Sequence, residues 1–377
     1  MKILSLFANI GVAEAYLEEI GFEVVVANEL DSQRVDLYRK IYPNTQMVCG
    51  DITTNDVYDN IITISKENGV DIIMATPPCQ GMSTAGKLKA FDERNNLFLY
   101  ALNAIDDLMP KYFIFENVPA FLSTSIKYKG QVMSIPEVIA DRMSSKYNIT
   151  FQLVNTQDYE VPQMRERVIV LATRKDIEKQ WTMPQPSSKR ITMEDAIGWI
   201  PTIDPYVRDL SPEEFTRLFP KYEERKKKAL SISKWNAPTS HVYRNVLAMQ
   251  YTPTGCTAFD NDEQYKPRKR NGDVVRGFRN TYKRQNWNTP AYTIAMDNIE
   301  ISSQNNVHPG RLMGTDKNGV PIYSDARVLT LFELMIIMSI PQNWPIPEDA
   351  NPRFLRKVIG EGVPSLLIKK IFTQLKQ

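Results

Sequence analysis

Three observations predict an α/β fold, a doubly wound and mostly parallel sheet with a second, smaller domain. Short continuous apolar runs alternate with amphipathic stretches up to about residue 175, several runs end in small or acidic residues, and glycine or proline punctuates the changes. Strands apolar on both faces belong to parallel sheets covered on both sides. In order, "ILSLF" (Ile3–Phe7) reads as a strand, "VAEAYLEEI" (Val12–Ile20) as an amphipathic helix stopped by Gly21, and "EVVVANE" (Glu23–Glu29) as the next strand. The alternation continues through a helix in "SQRVDLYRKIY", a strand in "MVCGDI", a helix in "NDVYDNIITISKENG" and a strand in "VDIIMATP". It closes with a helix in "LFLYALNAIDDL" and strands in "YFIFENV" and "RVIVLATR".

Beyond "TMPQPSS", which reads as a linker, the texture turns polar and weakly periodic, with a charged helix expected in "SPEEFTRLFPKYEERKKKAL". Helical patterning returns in "VLTLFELMIIM" and "SLLIKKIFTQL". The expected division is therefore 1–176, 177–325 and 326–377, the last segment packing back on the first.

A chain of 377 residues with net charge +2 is ordinary for a soluble globular protein and is no non-specific polycation, although a balanced total can conceal a basic face. The first apolar run is too short for a signal peptide, and "LTLFELMIIMSI" carries Glu333 and is shorter than a membrane span. The expectation is a cytoplasmic protein without membrane contact. Three cysteines far apart and two histidines suggest neither a disulfide framework nor a metal site.

Ligands of such sheets bind at the carboxyl ends of the strands. The first loop, "FANIG", has only Gly11 where a dinucleotide cradle needs GxGxxG. Glu29 could meet a ribose diol and Asp51 an adenine, although acids after strands are more often caps. An adenosine-sized site without a phosphate grip suits S-adenosylmethionine better than NAD. Cys79 follows two prolines that force an extended chain; it is either a small buried hydrophobe or a nucleophile presented at the sheet edge. The next stretch carries Ser83, Thr84, Lys87 and Lys89 among small residues, the composition of a surface loop or of a lid closing on a polyanion. Glu116 ends a strand at the same edge, where it could cap or could protonate a heterocycle. Gln163, Arg165 and Arg167 alternate, so their side chains face one way, toward anions, carbonyls or surface acids.

In this order "SLFANIG", "PPCQG", "FENVP", "QMRERV", "RVLTLFE" and "IGEGVP" closely resemble the motifs of DNA cytosine-5 methyltransferases of bacterial restriction-modification systems. The resemblance implies a double-stranded DNA substrate and S-adenosyl-L-methionine as methyl donor. It implies that Cys79 attacks carbon 6 of a flipped-out cytosine, that Glu116 holds and protonates nitrogen 3, and that Arg167 binds oxygen 2. Arg165 would support the closed loop and Asn117 would help hold the site together. For the cofactor, Phe7 would stack on adenine, Glu29 would bind ribose, and Asp51 and Ile52 would meet the adenine edge. Pro78, Leu97 and Val363 would line the pocket, and Gly11 and Leu30 belong to the same set. Two positions depart from the family pattern: Asn9 stands where the first loop usually has glycine, and Glu361 where asparagine usually follows Gly360.

Residues 177–325 would then be a target recognition domain. Its stretch Glu263–Arg284 holds eight basic and two acidic residues with Tyr265, Phe278 and Tyr282 interleaved, either a solvated loop or a DNA-facing surface. Ser83, Lys87, Lys89, Arg268, Lys269, Arg270, Arg284 and Thr293 are the candidate DNA contacts. The expected protein is a monomer, with any partner endonuclease acting separately. The alternatives are a transfer-RNA cytosine-5 methyltransferase, a catalytically silent DNA-binding regulator and, least supported, a nicotinamide-dependent oxidoreductase.

Overall fold

The computed structural model of the protein describes residues 1–78 and 93–376. Seven strands form the central sheet: β1 (Lys2–Leu6), β2 (Glu23–Glu29), β3 (Gln46–Cys49), β4 (Ile72–Ala75), β5 (Tyr112–Asn117), β6 (Tyr147–Asn155) and β7 (Glu166–Arg174). Their spatial order is β3-β2-β1-β4-β5-β7-β6. The first five pair in parallel, and β7 runs antiparallel to both β5 and β6. That reversal follows from the chain between β6 and β7, which is shorter than the roughly dozen residues a parallel crossover requires. Because β1 lies between β2 and β4, strand order reverses beside it, and a crevice opens at the carboxyl ends of β1 and β4.

Helices α1 (Ser32–Ile41), α2 (Asn55–Asn68), α3 (Phe98–Leu108) and α4 (Ile135–Met143) follow strands of the sheet or the loops after them. Ile61, Leu102 and Val138 of α2, α3 and α4 pack on Leu4, Ile73, Phe113 and Val170, covering one face. The opposite face receives Tyr38 of α1 against Ala27, and the chain's last helices. These are α5 (Leu331–Ile337), α6 (Pro352–Glu361) and α7 (Ser365–Thr373). Leu367, Ile371 and Phe372 of α7 pack on Ile3, Ile114 and Ile169, while α5 and α6 pack on Ile10, Val12 and Ile41. Residues far apart in sequence therefore close over the first loop.

Local signals explain several boundaries. Asp31 caps α1 by accepting from the backbone N–H groups of Gln33 and Arg34, and Thr330 with Glu333 forms a reciprocal box at the start of α5. The stretch 12–20 differs from expectation: it forms successive turns rather than a regular helix. Its backbone bonds are irregular, Leu17 N–H to Glu14 O and Ile20 N–H to Tyr16 O among them, and Glu14 points into the interior instead of to solvent. The charged segment 211–230 is two helices, Pro212–Leu218 and Tyr222–Ile232, because Pro220 has no N–H to continue the first.

Residues 207–328 include an apolar cluster of their own, with Val207, Val246, Met249, Ile301, Val307 and Val328. No helix among the described residues is long and apolar enough to cross a membrane.

Candidate active site

Sheet register fixes the first part of the site. Glu116 lies opposite Ile169 across the antiparallel β5–β7 pair, so Arg167, two residues from Ile169, shares its face. Arg167 Nε and Glu116 Oε1 form an ion pair at 2.7 Å, with both side chains largely enclosed. Arg167 Nη1 donates to the Glu166 carbonyl at 2.6 Å, and Nη2 has no hydrogen-bond partner among the described residues. Asn117 points to the other face, where its Nδ2 donates to the Pro77 carbonyl at 3.0 Å and its Oδ1 accepts from Val118 N–H at 2.9 Å. The amide thus holds the start of the Pro-Pro segment to the end of β5. Cys79, Ser83, Lys87 and Lys89 lie outside the described residues.

Arg165 is buried. Its Nη1 donates to the Ile294 carbonyl at 2.7 Å and its Nη2 to the Gly360 carbonyl at 3.1 Å. Gln163 works beside it, with its Oε1 accepting from Ile294 N–H at 3.2 Å. These two residues couple the entry of β7 to segments more than a hundred positions later. Thr293 is exposed, and its hydroxyl donates to the Met164 carbonyl at 2.7 Å.

The second part of the site surrounds the first loop. Phe7, Asn9 and Gly11 all take left-handed backbone conformations, at φ 61°, 53° and 80°. Asparagine adopts this conformation more readily than most residues, which accounts for its presence where glycine would be usual. At Gly11 a Cβ would lie 2.1 Å from the Tyr42 ring, whose hydroxyl donates to the Gly11 carbonyl at 2.6 Å, so this glycine is required by packing as well as by φ. Asn9 N–H donates to Glu29 Oε2 at 3.0 Å, while Leu30 and Asp31 N–H donate to Glu29 Oε1 at 2.9 and 3.1 Å. Glu29 is therefore a buried, amide-oriented carboxylate at the end of β2.

Leu30 beside it is 65% exposed, an open apolar surface at a strand end. Asp51 is exposed and its Oδ1 accepts from Thr53 N–H at 2.9 Å. The Ile52 side chain is in the sheet core, and Leu97 packs against the same core. Val363 is buried against the opposite-face cluster, and Pro78 is half-buried. Thr76, not singled out from the sequence, donates to the Phe7 carbonyl at 3.0 Å and joins the two strand ends of the crevice. A hydroxyl at the end of a strand was the available signal. Arg34 was also missed, and it accounts for the acid at 361: the two form an ion pair at 2.7 Å.

The basic stretch requires correction at its end. Arg284 is no DNA contact: it is 0% exposed and its guanidinium donates to the carbonyls of His308, Asp325, Met249 and Ser324. Four carbonyls converging on one cation make it a tie for the surrounding loops. Arg268 turns into its own hairpin, donating to Gly272 O and Glu263 O at 2.9 Å each. Tyr265 stacks on Tyr251 at 3.5 Å, and Tyr282 is buried, whereas Phe278 is 79% exposed. Lys269, Arg270 and Arg276 are exposed and have no ion pair among the described residues.

Residues 1–377 match the family described as C-5 cytosine-specific DNA methylase. The chain is 39% identical over 379 residues to the Type II methyltransferase M1.HgaI of Avibacterium volantium, covering 99% of this chain and 97% of that protein. It is 28% identical over 387 residues to the Type II methyltransferase M.XorII of Xanthomonas oryzae pv. oryzae, covering 99% and 84%. Among solved structures, one from an E. coli prophage, described as a DNA modification methyltransferase, aligns with TM-score 0.66 at 19% identity, covering 100% of this chain and 98% of that one. A Spodoptera frugiperda DNMT2 mutant aligns with TM-score 0.60 at 17% identity, covering 100% and 99%; at these identities the two structures establish the shared fold alone. The match over the whole length, joined to the relative from Avibacterium, places this chain in the C-5 cytosine-specific DNA methylase family, as a DNA cytosine-5 methyltransferase.

Proposed function

We propose that the protein methylates carbon 5 of a cytosine flipped out of a short specific sequence in double-stranded DNA, through a covalent adduct on Cys79. The observation that carries this reading is the Glu116–Arg167 pair at 2.7 Å, next to Asn117 holding the Pro77 carbonyl two residues before Cys79. Carbon 5 and carbon 6 are covered in a stacked duplex, so the base must leave the helix to reach these groups.

The residues around the first loop suit S-adenosyl-L-methionine. Glu29 offers an oriented carboxylate for a ribose, Phe7 and Leu30 offer apolar surface for a purine, and no glycine cradle asks for a pyrophosphate. Asn9 Oδ1 is a buried acceptor without a partner among the described residues, which fits a ligand bearing donors. When bound, the cofactor supplies the methyl group that carbon 5 takes.

The chain's own residues do the rest. The Cys79 thiolate adds to carbon 6, and Glu116 delivers a proton to nitrogen 3, so that electron density collects at carbon 5. Arg167 orients the Glu116 carboxyl and has Nη2 for the base's oxygen 2. Loss of the carbon 5 proton to solvent, departure of Cys79 as thiolate and return of the nitrogen 3 proton to the Glu116 carboxylate then restore the neutral aromatic ring. Arg165 supports the site by joining β7 to Ile294 and Gly360.

Residues 1–176 and 326–377 form the catalytic part in this reading, and 177–325 form the target recognition domain, with Lys269 and Arg270 on phosphates. The protein acts as a monomer, with any partner endonuclease acting separately; the Type II methyltransferase names of its relatives support a restriction-modification system. Methyl transfer from labelled cofactor to duplex DNA and to transfer RNA, followed by bisulfite sequencing, tests the reading. Label at cytosine 5 of one DNA context is expected. Transfer to RNA alone would refute it. Cys79→Ala should abolish transfer while keeping sequence-specific binding, and turnover in that variant would remove the adduct.

A further inference from the structure

Arg34 and Glu361 are 327 positions apart and meet at 2.7 Å, each side chain 19% exposed. Their positions give the contact its interest. Arg34 lies in the first turn of α1, just after Glu29 and Leu30, and Glu361 ends α6, two residues before Val363. One turn earlier on α6, the Val358 carbonyl accepts from Asn9 Nδ2 at 2.9 Å, while Asn9 N–H reaches Glu29. Behind this, a Cβ on Gly362 would come within 3.0 Å of Val12. The first loop, the end of β2, the start of α1 and the end of α6 are thus connected by two polar contacts of α6, one neutral and one ionic. No other ion pair among the described residues joins α1 to α6.

We propose that Arg34 and Glu361 form a latch that positions the first loop and the end of β2 for the cofactor, and that this pair sets cofactor affinity rather than the rate of methyl transfer. The proposal rests on the cofactor site proposed above. The ion pair is partly enclosed, so removing one partner leaves the other charge short of solvent, and the penalty exceeds that of an exposed pair. Arg34 Nε and Glu361 Oε1 are both buried without hydrogen-bond partners among the described residues, so a second parallel hydrogen bond can form within the pair. Arginine-to-glutamate and glutamate-to-arginine changes at these two sites exchange the charges while keeping the attraction.

The test measures binding of S-adenosylhomocysteine by calorimetry for the wild type, Arg34→Glu, Glu361→Arg and the double exchange, with steady-state methylation alongside. Each single change is expected to weaken binding roughly 10-fold or more, the size of one lost charge-assisted hydrogen bond. KM for the methyl donor should rise in step, kcat at saturation should fall far less, and the double exchange should recover most of the loss. Wild-type affinity in both singles, or a double exchange no better than the weaker single, would overturn the latch. Absence of binding by the wild type would instead overturn the cofactor site. Should a charge reversal fail to fold, the cycle of Arg34→Gln, Glu361→Gln and both together replaces it: additive losses overturn the proposal and a shared loss supports it.

Discussion

Replacing Glu14 by Gln tests how the fold accommodates a carboxyl group enclosed beneath the first loop. Glu14 Oε1 accepts from the Ser5 hydroxyl at 2.6 Å and Oε2 accepts from the Tyr38 hydroxyl, and no lysine or arginine pairs with it among the described residues. Burial pushes this carboxyl from 4.5 up to about 7, against the opposing pull of the two hydroxyl hydrogen bonds. The folded-state value lies above the unfolded one, so between these two pH values the native state keeps a proton that the unfolded chain has released. Stability from this group is complete below pH 4.5 and is lost as pH rises toward 7. At about 1.4 kcal/mol per pH unit, the whole window is worth about 3 kcal/mol, of which roughly 2 to 3 fall between pH 5 and 8. Glutamine has nearly the same shape, still accepts one hydroxyl hydrogen bond, and does not titrate. Urea unfolding of wild type and Glu14→Gln at several pH values measures the difference directly, with other titrating groups cancelling. The wild type should lose about 2 to 3 kcal/mol more than the variant on going from pH 5 to 8. Parallel pH profiles would refute the reasoning.

Further expectations follow from the site and its surroundings. Glu116→Gln should slow single-turnover methyl transfer at least ~100-fold while leaving cofactor binding in place, and an unchanged rate would remove it as proton donor. Arg284→Met should destabilise the fold by ~3 to 5 kcal/mol in urea unfolding, because four carbonyls lose one donor group; unaltered stability with lost DNA binding would return it to the DNA surface. Neutralising Lys269 and Arg270 together should reduce the slope of log affinity against log salt by about 2 on duplex DNA, and an identical slope would make them solvated surface charge.

The sheet was largely legible because its strands are continuous apolar runs and each run ends in residues with no place in a core. Strand β6 was not read: its sequence, "YNITFQLVN", alternates with polar residues because it is an edge strand half open to solvent, and such a pattern is weaker than a buried one. The turns at 12–20 carry helical periodicity yet do not form a helix. There Glu14 bonds to Ser5 and Tyr38, an interaction that local propensity cannot register. Glu116, Asn117 and Arg167 were visible as residues at strand ends, and their mutual geometry follows from the β5–β7 register. Arg284 misled for the opposite reason. Counting charge in a run assigns every cation to the surface, whereas this one is held by carbonyls up to 41 positions away. Arg34 and Glu361 could not be paired from sequence, since nothing local connects positions 327 residues apart.

The covalent step is tested most directly by incubating the protein and cofactor with duplex DNA carrying 5-fluorocytosine at the target position, since fluorine cannot leave as the carbon 5 proton does. The account predicts a denaturant-resistant conjugate whose peptide map places the nucleotide on Cys79. No conjugate, or one on Cys49 or Cys256, would contradict it.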